Sequence, residues 1–576
     1  MTTQTDLAAL HLLAVQHHQA GRLAEAEAGY RQVLARDPRH ADSLNLLGVI
    51  AAQCGHPDAA IELIAQAIRL NDGVAGYHIN LGLTEQGRGR TDVAAECYRR
   101  ALELAPEDAD AHNNLGIILQ DQGQFDAAAA HFERSLAARP DHAEALINLG
   151  LARRNQGRLE EAVACGERAI ALRPNSAEAC NNLGLALENL GRVEAALTHY
   201  RQALVLRPDY AEAANNLGLA LQHAGQDEAA LAQFDHALAL RPDYAEAQLN
   251  QSMVRLLTGA LRPGWRQYEE RWRSRQMASD RRDLAVPRWD GSAGEGRTIL
   301  IWAEQGLGDS LQFCRYVPLL AERGWRVIVE VQPPLARLFR GLAGAAAVVA
   351  TDAATGMRFD CHCPMMSLPQ HFDTVLDTIP ARLPYLSPEA ADVARWGKCL
   401  AASGLPPDGI RVGLVWAGNA RRHSPLLTIA DSRRSIGLDQ LAPVLAVAGV
   451  RFVSLQKDLR PGEAPAERGL VDVMDKIGDF ADTAALIAHL DLVIAVDTST
   501  LHLAGAMAKP VWLLNRFDTC WRWLRGRDDS PWYPTLRQFR QTRSGAWDEV
   551  IAAAATALQR VVAGQEILMQ GTTRQE

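Results

Sequence analysis

No window of the 576-residue chain approaches the roughly 18 uninterrupted apolar residues that a membrane span requires, so no span is expected. Nor is there an excess of positive charge. The 59 Lys and Arg face 68 Asp and Glu, a formal charge of -9 that argues against nucleic acid as a partner. The opening MTTQTDLAALHLLAVQHH has no basic n-region and its apolar run is broken by histidines, so it reads as an amphipathic helix and not as a signal peptide. Cysteines are few, odd in number at nine, and scattered, which points to reduced thiols and a cytoplasmic location. Cys361-His362-Cys363 has no second pair at zinc-like spacing, so burial is its expected role and no metal is predicted. What is present, 48% hydrophobic and 22% charged residues, suits a globular protein of several domains.

The first half is periodic. Pro38, Pro106, Pro140, Pro174, Pro208 and Pro242 keep a 34-residue step, with Asp72 in the one slot lacking proline. Glycine keeps the same step independently, from Gly21 through Gly123 to Gly259, as do Leu-Gly pairs such as Leu115-Gly116. Each unit reads as two helices separated by a glycine turn and closed by proline. Small residues such as Gly116 and Ala128 let the helices approach, and a ring at Tyr98, Phe132, Tyr200 or Phe234 is expected to fill the gap between units. The pattern resembles the tetratricopeptide repeat in period and in its small and large positions. Seven good units run from about Thr5 to Pro242, and a divergent eighth reaches Ser274, with Trp265, Tyr268 and Trp272 closing the stack. The domain 5–274 is therefore expected to be an α-solenoid whose last hairpin docks the second half of the chain.

A second feature keeps the step without an evident packing reason. Asn80, Asn114, Asn148, Asn182, Asn216 and Asn250 recur on the first helix of their units. An amide both donates and accepts, so such a row could grip a peptide backbone whatever its side chains. Internal duplication of a tolerated polar residue is the alternative.

Residues 275–297 lose the period and read as a linker. Residues 298–400 then alternate strand and helix. TILIWA (298–303) is a strand, EQGLGD (304–309) a turn, 310–322 a helix and 327–331 the next strand. A second α/β stretch over 409–563 leads to DLVIAVDTSTLHLAGAMAKPVWLLN (491–515), an apolar strand, a polar turn, a short helix and another strand. Thr498, Ser499 and Thr500 can cap that helix, whose free N–H groups favour an anion. Two such units face one another across a cleft at their strand ends, where 304–309, 417–423, Gln456, Lys457 and 497–502 should converge. Residues 564–576 read as a frayed tail.

Gly308-Asp309 after the first strand, with AVDTSTLHLAGAMAKPVWLL, is similar to the paired signatures of bacterial heptosyltransferase-like glycosyltransferases of the two-Rossmann GT-B fold. The full layout resembles the O-GlcNAc transferase architecture and its bacterial relatives, as does DDSPWYPTLRQFRQ (528–541). The resemblance implies a glycosyltransferase, inverting, that moves a sugar from a nucleotide-diphosphate donor to a protein acceptor held by the repeats. The nucleotide-sugar is then a substrate and no cofactor is implied. Asp497, Thr498, Ser499 and His502 would line the diphosphate site, and Asp309 would approach the acceptor. One base and one cradle for the departing diphosphate are needed. Asp309 or its rival Glu304 supplies the first, and the helix N–H groups, Thr498, Ser499, Lys457 and Arg434 the second. Structural alternatives stand beside each: Asp309 as helix cap, Lys457 as a solvated charge, His502 as packing. Trp521, Trp523 and Trp532 can stack on a base or pack a core. Ser499-Thr500 stands where the family usually has glycine, and residues 420–430 form an insertion read as a mobile lid. Other functions remain open: a repeat scaffold with a non-catalytic nucleotide-binding half, a glycan or small-molecule acceptor, and self-association into a homo-oligomer.

Overall fold

The computed structural model describes residues 2–274, 277, 280–351, 356–406, 408–418 and 425–568. Eight helical hairpins come first in the chain, from Thr2–Gln19 with Leu23–Arg36 to Ala245–Leu257 with Leu261–Tyr268. The chain forms two compact units, Met1–Pro208 and Asp209–Glu576, so the last two hairpins belong with the α/β part.

The first unit holds six hairpins. Each turn is made by a glycine in the left-handed region, such as Gly123 at φ 76°, where a Cβ would strain the backbone. Side chains cap several first helices: Asp108 accepts from Ala111 N at 2.8 Å and Ser176 from Ala179 N at 3.1 Å. The rings at Tyr98 and Phe132 share one core with residues of neighbouring hairpins such as Leu149, and they also pack within their own. A Cβ on Gly116 would fall 2.6 Å from Phe132, and one on Gly184 2.6 Å from Tyr200, so each ring lies on the glycine of its own hairpin. The rings set how closely the two helices of a unit approach before neighbouring units stack.

The asparagine row also has a packing role that periodicity did not disclose. Asn80 donates to Asn45 Oδ1 at 3.1 Å and Asn148 to Asn113 Oδ1 at 3.0 Å, each across the joint to the preceding unit. In the second unit Asn250 donates to Asn215 at 2.9 Å in the same way. All six row members are half-buried.

In the second unit, strands β1 (Thr298–Trp302), β2 (Arg326–Val331), β3 (Ala345–Ala350) and β4 (Cys361–Pro364) form a parallel sheet of order β3-β2-β1-β4. A second parallel sheet, β6-β5-β7-β8-β9, uses β5 (Ile410–Val415), β6 (Val450–Ser454), β7 (Leu492–Ala495), β8 (Val511–Asn515) and β9 (Leu536–Arg540). β7 is buried at every position, as its unbroken apolar sequence requires of a strand covered on both faces. β9 lies inside 528–541, which sequence reading left without an element. Strand order reverses between β1 and β4 and between β5 and β7, and ligands of such sheets sit beyond the carboxyl ends there.

Two further expectations are corrected. The helix assigned to 310–322 begins earlier and is broken: Leu307–Phe313, a 3-10 turn Cys314–Tyr316, then Val317–Glu322. Pro318 has no N–H to give Cys314, which interrupts the ladder. The linker is also partly built into the fold. Trp289 is buried, its N–H donates to His362 O at 2.8 Å, and His362 N donates to Pro287 O at 3.1 Å, extending the sheet edge beside β4.

The eighth hairpin supplies Leu249, Leu256, Leu257, Leu261, Trp265 and Tyr268 to one core shared with both sheets. Arg525 adds polar ties from the loop after β8, to Asp227 at 2.8 Å and to Gln222 O at 2.8 Å. At the other side Arg337 joins Asp479 and Asp482, each at 2.6 Å, which clamps the two sheets' helices together.

Candidate functional site

The turn after β1 and the turn after β7 meet. Helix Leu307–Phe313 packs on helix Ser499–Ala506, and the contact is close enough that a Cβ on Gly308 would lie 2.9 Å from His502 Cδ2. The glycine before Asp309 is thus required by the opposing imidazole. Asp309 uses both carboxylate oxygens. Oδ2 accepts from Gly306 N at 2.9 Å, closing its own helix, and Oδ1 is paired with Arg522.

Arg522 is the residue sequence reasoning missed. It stacks 4.2 Å from the centre of the Trp521 ring and donates to Cys520 Sγ at 3.0 Å. Burial opposes its charge, but Asp309, Cys520 and Asp497 around it outweigh burial and push its pKa up, so it stays a guanidinium. Its only sequence signal is position, a lone cation between Trp521 and Trp523.

Opposite lies the polar turn. Thr498 is the N-cap residue with extended backbone, yet its hydroxyl makes no cap bond and is buried with no hydrogen-bond partner among the described residues. The first N–H groups of an eight-residue helix therefore open onto the turn without side-chain capping from Thr498. Burial works against ionisation of Asp497, and His502, Arg434 and Arg522 outweigh it, holding the carboxyl below the usual range. Arg434 donates to Asp497 O at 3.0 Å and pairs with Asp431 at 2.6 Å. His502 is pushed down to about 3 by burial first, against the pull of Asp497, so the ring is neutral near pH 7. Its Nδ1 lies 2.9 Å from Tyr533 OH and its face stacks on Trp523, with centroids 5.1 Å apart.

Of the remaining candidates, Glu304 is fully buried, bonded to Arg271 at 2.8 and 3.1 Å and accepting from Met366 N at 2.8 Å. Burial raises its pKa against the pull of Arg271. Its carboxylate ties Arg271, just after the eighth hairpin, to the end of β1. Ser499 and Thr500 are half-buried in the first turn of their helix. Lys457 is exposed beyond β6. Trp521 and Trp532 pack edge-on against Trp265, with centroids 5.1 and 6.4 Å apart, and so belong to the core. His362 accepts from Trp302 Nε1 at 3.1 Å and is pushed down to about 4 by burial and by Arg288 and Arg282. Residues 419–424, and with them part of the insertion read as a lid, lie outside the described residues; Pro425–Ser432 is a helix. Two cavities, of about 320 and 330 Å³, are lined by none of Asp309, Arg522, Asp497 or His502. Asp309 and Arg522 are themselves mostly shielded, their side chains 15% and 13% exposed.

Family models of the tetratricopeptide repeat match residues 12–75, 116–177 and 211–241, and a model of the TPR repeat matches 87–123 and 189–225. The repeats are tetratricopeptide repeats. Protein FlbA of Caulobacter vibrioides is 30% identical to this chain over 334 residues, 54% of each protein. The chain thus spans about half the length of that curated relative. Among solved structures, YrrB, described as a TPR protein with an unusual peptide-binding site, is 26% identical, with a TM-score of 0.28 over 32% of this chain and 95% of its own. A thermophilic TPR protein of Thermus thermophilus is 25% identical, with a TM-score of 0.29 over 32% of this chain and 100% of its own. Among the described residues no helix of the tetratricopeptide array or of the α/β part is long and apolar enough to cross a membrane.

Proposed function

We propose that the α/β part is a GT-B glycosyltransferase that takes a nucleotide-diphosphate sugar and transfers the sugar, with inversion, to a polypeptide held by the tetratricopeptide array. The observation that carries this reading is the meeting of two strand-end turns. Asp309 stands on one, an uncapped helix start with Asp497 and Thr498 stands on the other, and Arg522 lies between. In a single displacement the acceptor oxygen bonds to the anomeric carbon as the bond to the diphosphate oxygen breaks. The acceptor proton passes to a carboxylate and the leaving charge falls on fixed N–H dipoles and cations. Asp309 suits the first role because Glu304 is committed to Arg271. Ser499 and Thr500 N–H groups, with Arg522, suit the second. Arriving phosphate would compete for Arg522 and release Asp309, so donor binding itself would prepare the base.

The test compares hydrolysis and transfer of nucleotide-sugars by the wild type and Asp309→Asn. A measurable wild-type rate that drops about a hundredfold supports the reading. Identical background rates for both would sink it. A second reading, a tetratricopeptide scaffold with a non-catalytic half, draws on Asp309 being fully engaged by Gly306 N and Arg522. It predicts nucleotide binding without turnover.

A further inference from the structure

One face of the first sheet carries charge. Side chains alternate along a strand, and the register pairs Leu300 with His362 and Trp302 with Glu330, so Leu300, Trp302, Glu330 and His362 share a face. A parallel sheet covered on both sides is expected to be apolar there. Glu330 and His362 are nonetheless only 1% and 3% exposed. The segment that joins the eighth hairpin to β1 covers them. Leu284 packs against the cluster of Trp272, Leu300, Trp302 and Ile328, and Arg282 pairs with Glu330. Between this segment and the sheet lies the cavity of about 320 Å³.

The polar side chains of that cavity are donors. Trp302 Nε1 can only donate, so its 3.1 Å contact makes His362 Nδ1 the acceptor and leaves the proton on Nε2, which has no hydrogen-bond partner among the described residues. Burial first, then Arg288 and Arg282, keeps the ring neutral near pH 7, so it offers one N–H. Trp272 adds an indole N–H that is shielded from solvent and also without a partner. Arg281 and Arg288 have carboxylates near them, Asp283 at 3.6 Å and Glu269 at 4.0 Å, both beyond hydrogen-bonding distance. Arg288 rests on the Trp272 ring at 4.9 Å. Only Arg282 is committed, to Glu330. The one acidic side chain in the lining, Asp283, is 92% exposed.

We propose that this cavity binds a small organic phosphate monoester, with the phosphate on Arg281, Arg288 and His362 Nε2 and the organic part on Trp272, Leu284 and Val286. Shielded donors without partners are costly, and a ligand rich in acceptors relieves them. A phosphate monoester brings three acceptor oxygens about a tetrahedral centre and a charge of about -1.5 to -2, whereas a carboxylate brings two oxygens in one plane and a single charge. Donors that reach in from the covering segment on one side and from β4 on the other suit the first. The volume is at the low end for a small-molecule site, and Leu284 and Val286 give it an apolar wall for the organic part. The cavity shares no residue with the turn that holds Asp497 and Thr498, so this inference stands apart from the transferase reading.

The experiment titrates the full-length protein with phenyl phosphate by isothermal calorimetry, with benzoate as the carboxylate control. It is repeated with Arg281→Gln/Arg288→Gln and with Arg262→Gln, a cation of the other cavity. Arg281 and Arg288 are 57% and 41% exposed, so the double variant is expected to fold, which circular dichroism checks. Hydrogen exchange over residues 281–289 is followed with and without phenyl phosphate. The expected result is one phenyl phosphate per chain and slower exchange in that segment. Affinity should be weaker by about tenfold or more for benzoate and for the double variant, and unchanged for Arg262→Gln. No binding, equal affinity for benzoate or in the double variant, a matching loss in Arg262→Gln, or unchanged exchange over 281–289 each overturns the inference.

Discussion

Arg271 and Glu304 are both shielded completely from solvent, and the cost of separating them is calculable in direction and size. Arg271 is held by more than Glu304. It also pairs with Glu269 at 2.7 Å, donates to Ser367 at 2.8 Å, and is flanked by the Tyr268 and Trp272 rings at 4.6 and 4.4 Å. Replacing Glu304 by Ala leaves the guanidinium one carboxylate short but not alone, and orphans Met366 N. Breaking a buried pair costs about 3–5 kcal/mol, so Glu304→Ala is expected near the lower end, about 3 kcal/mol. Arg271→Met is expected to cost more, about 5 kcal/mol, because Glu304 is then left buried without its cation and Glu269 keeps only Arg288, at 4.0 Å. The double variant Arg271→Met/Glu304→Leu should cost less than the sum of the singles by about 1–3 kcal/mol. Urea unfolding at pH 7.5, followed by tryptophan fluorescence and by circular dichroism, measures all three. A Glu304→Ala variant within about 1 kcal/mol of wild type refutes the structural role of the pair. If that variant also lost turnover, Glu304 would return as the candidate base.

Stability should fall as pH drops below the ordinary histidine range. His502 and His362 are buried and pushed down to about 3 and about 4, so the unfolded chain binds more protons than the folded one below pH 6.5. Their contribution is fully present above pH 6.5 and is lost on acidification, by about 2 kcal/mol each at pH 5. Unfolding at pH 7.5 and 5.0 of wild type and His362→Gln checks it, and an unchanged pH slope in the variant counts against the assignment. Gly308→Ala should force the two helices apart at His502 and lower stability by about 1–3 kcal/mol, with any transferase activity falling further than stability explains. Gly116→Ala should cost a similar 1–3 kcal/mol in the first unit through its clash with Phe132, read from thermal unfolding. Arg337→Met, partly exposed and so less costly, should lose about 1–2 kcal/mol and speed hydrogen exchange in helix Phe480–Ile487.

The repeats were legible because their information is local and redundant. A left-handed glycine, a closing proline and a small residue under a ring recur at one step, and each has a backbone or contact reason within 34 residues. The parallel strands were legible for a similar reason, since burial on both faces forces an unbroken apolar run such as β7. The site was half legible. Asp309, Asp497 and Thr498 could be found from strand-end turns, whereas Arg522 reaches Asp309 across 213 residues of chain and carries no local mark. Glu304 misled for the converse reason. It stands at the right turn in sequence, but its partner Arg271 comes from just after the eighth hairpin and draws it inward. The asparagines were read as having no packing role because their bonds fall between units, a distance that periodicity alone does not resolve.

The boundary at Pro208 bears on how such a protein can change over generations. Hairpins seven and eight lend Asp227, Trp265 and Tyr268 to the α/β part, so a gene fusion or deletion cut at the end of the repeats would strip a core of its own residues. Upstream of Pro208 a unit answers only to its neighbours, and whole 34-residue modules can be gained or lost in frame. The length of the early array can therefore change while the core of the α/β part keeps its residues, which makes the number of early repeats the quantity most open to variation among relatives.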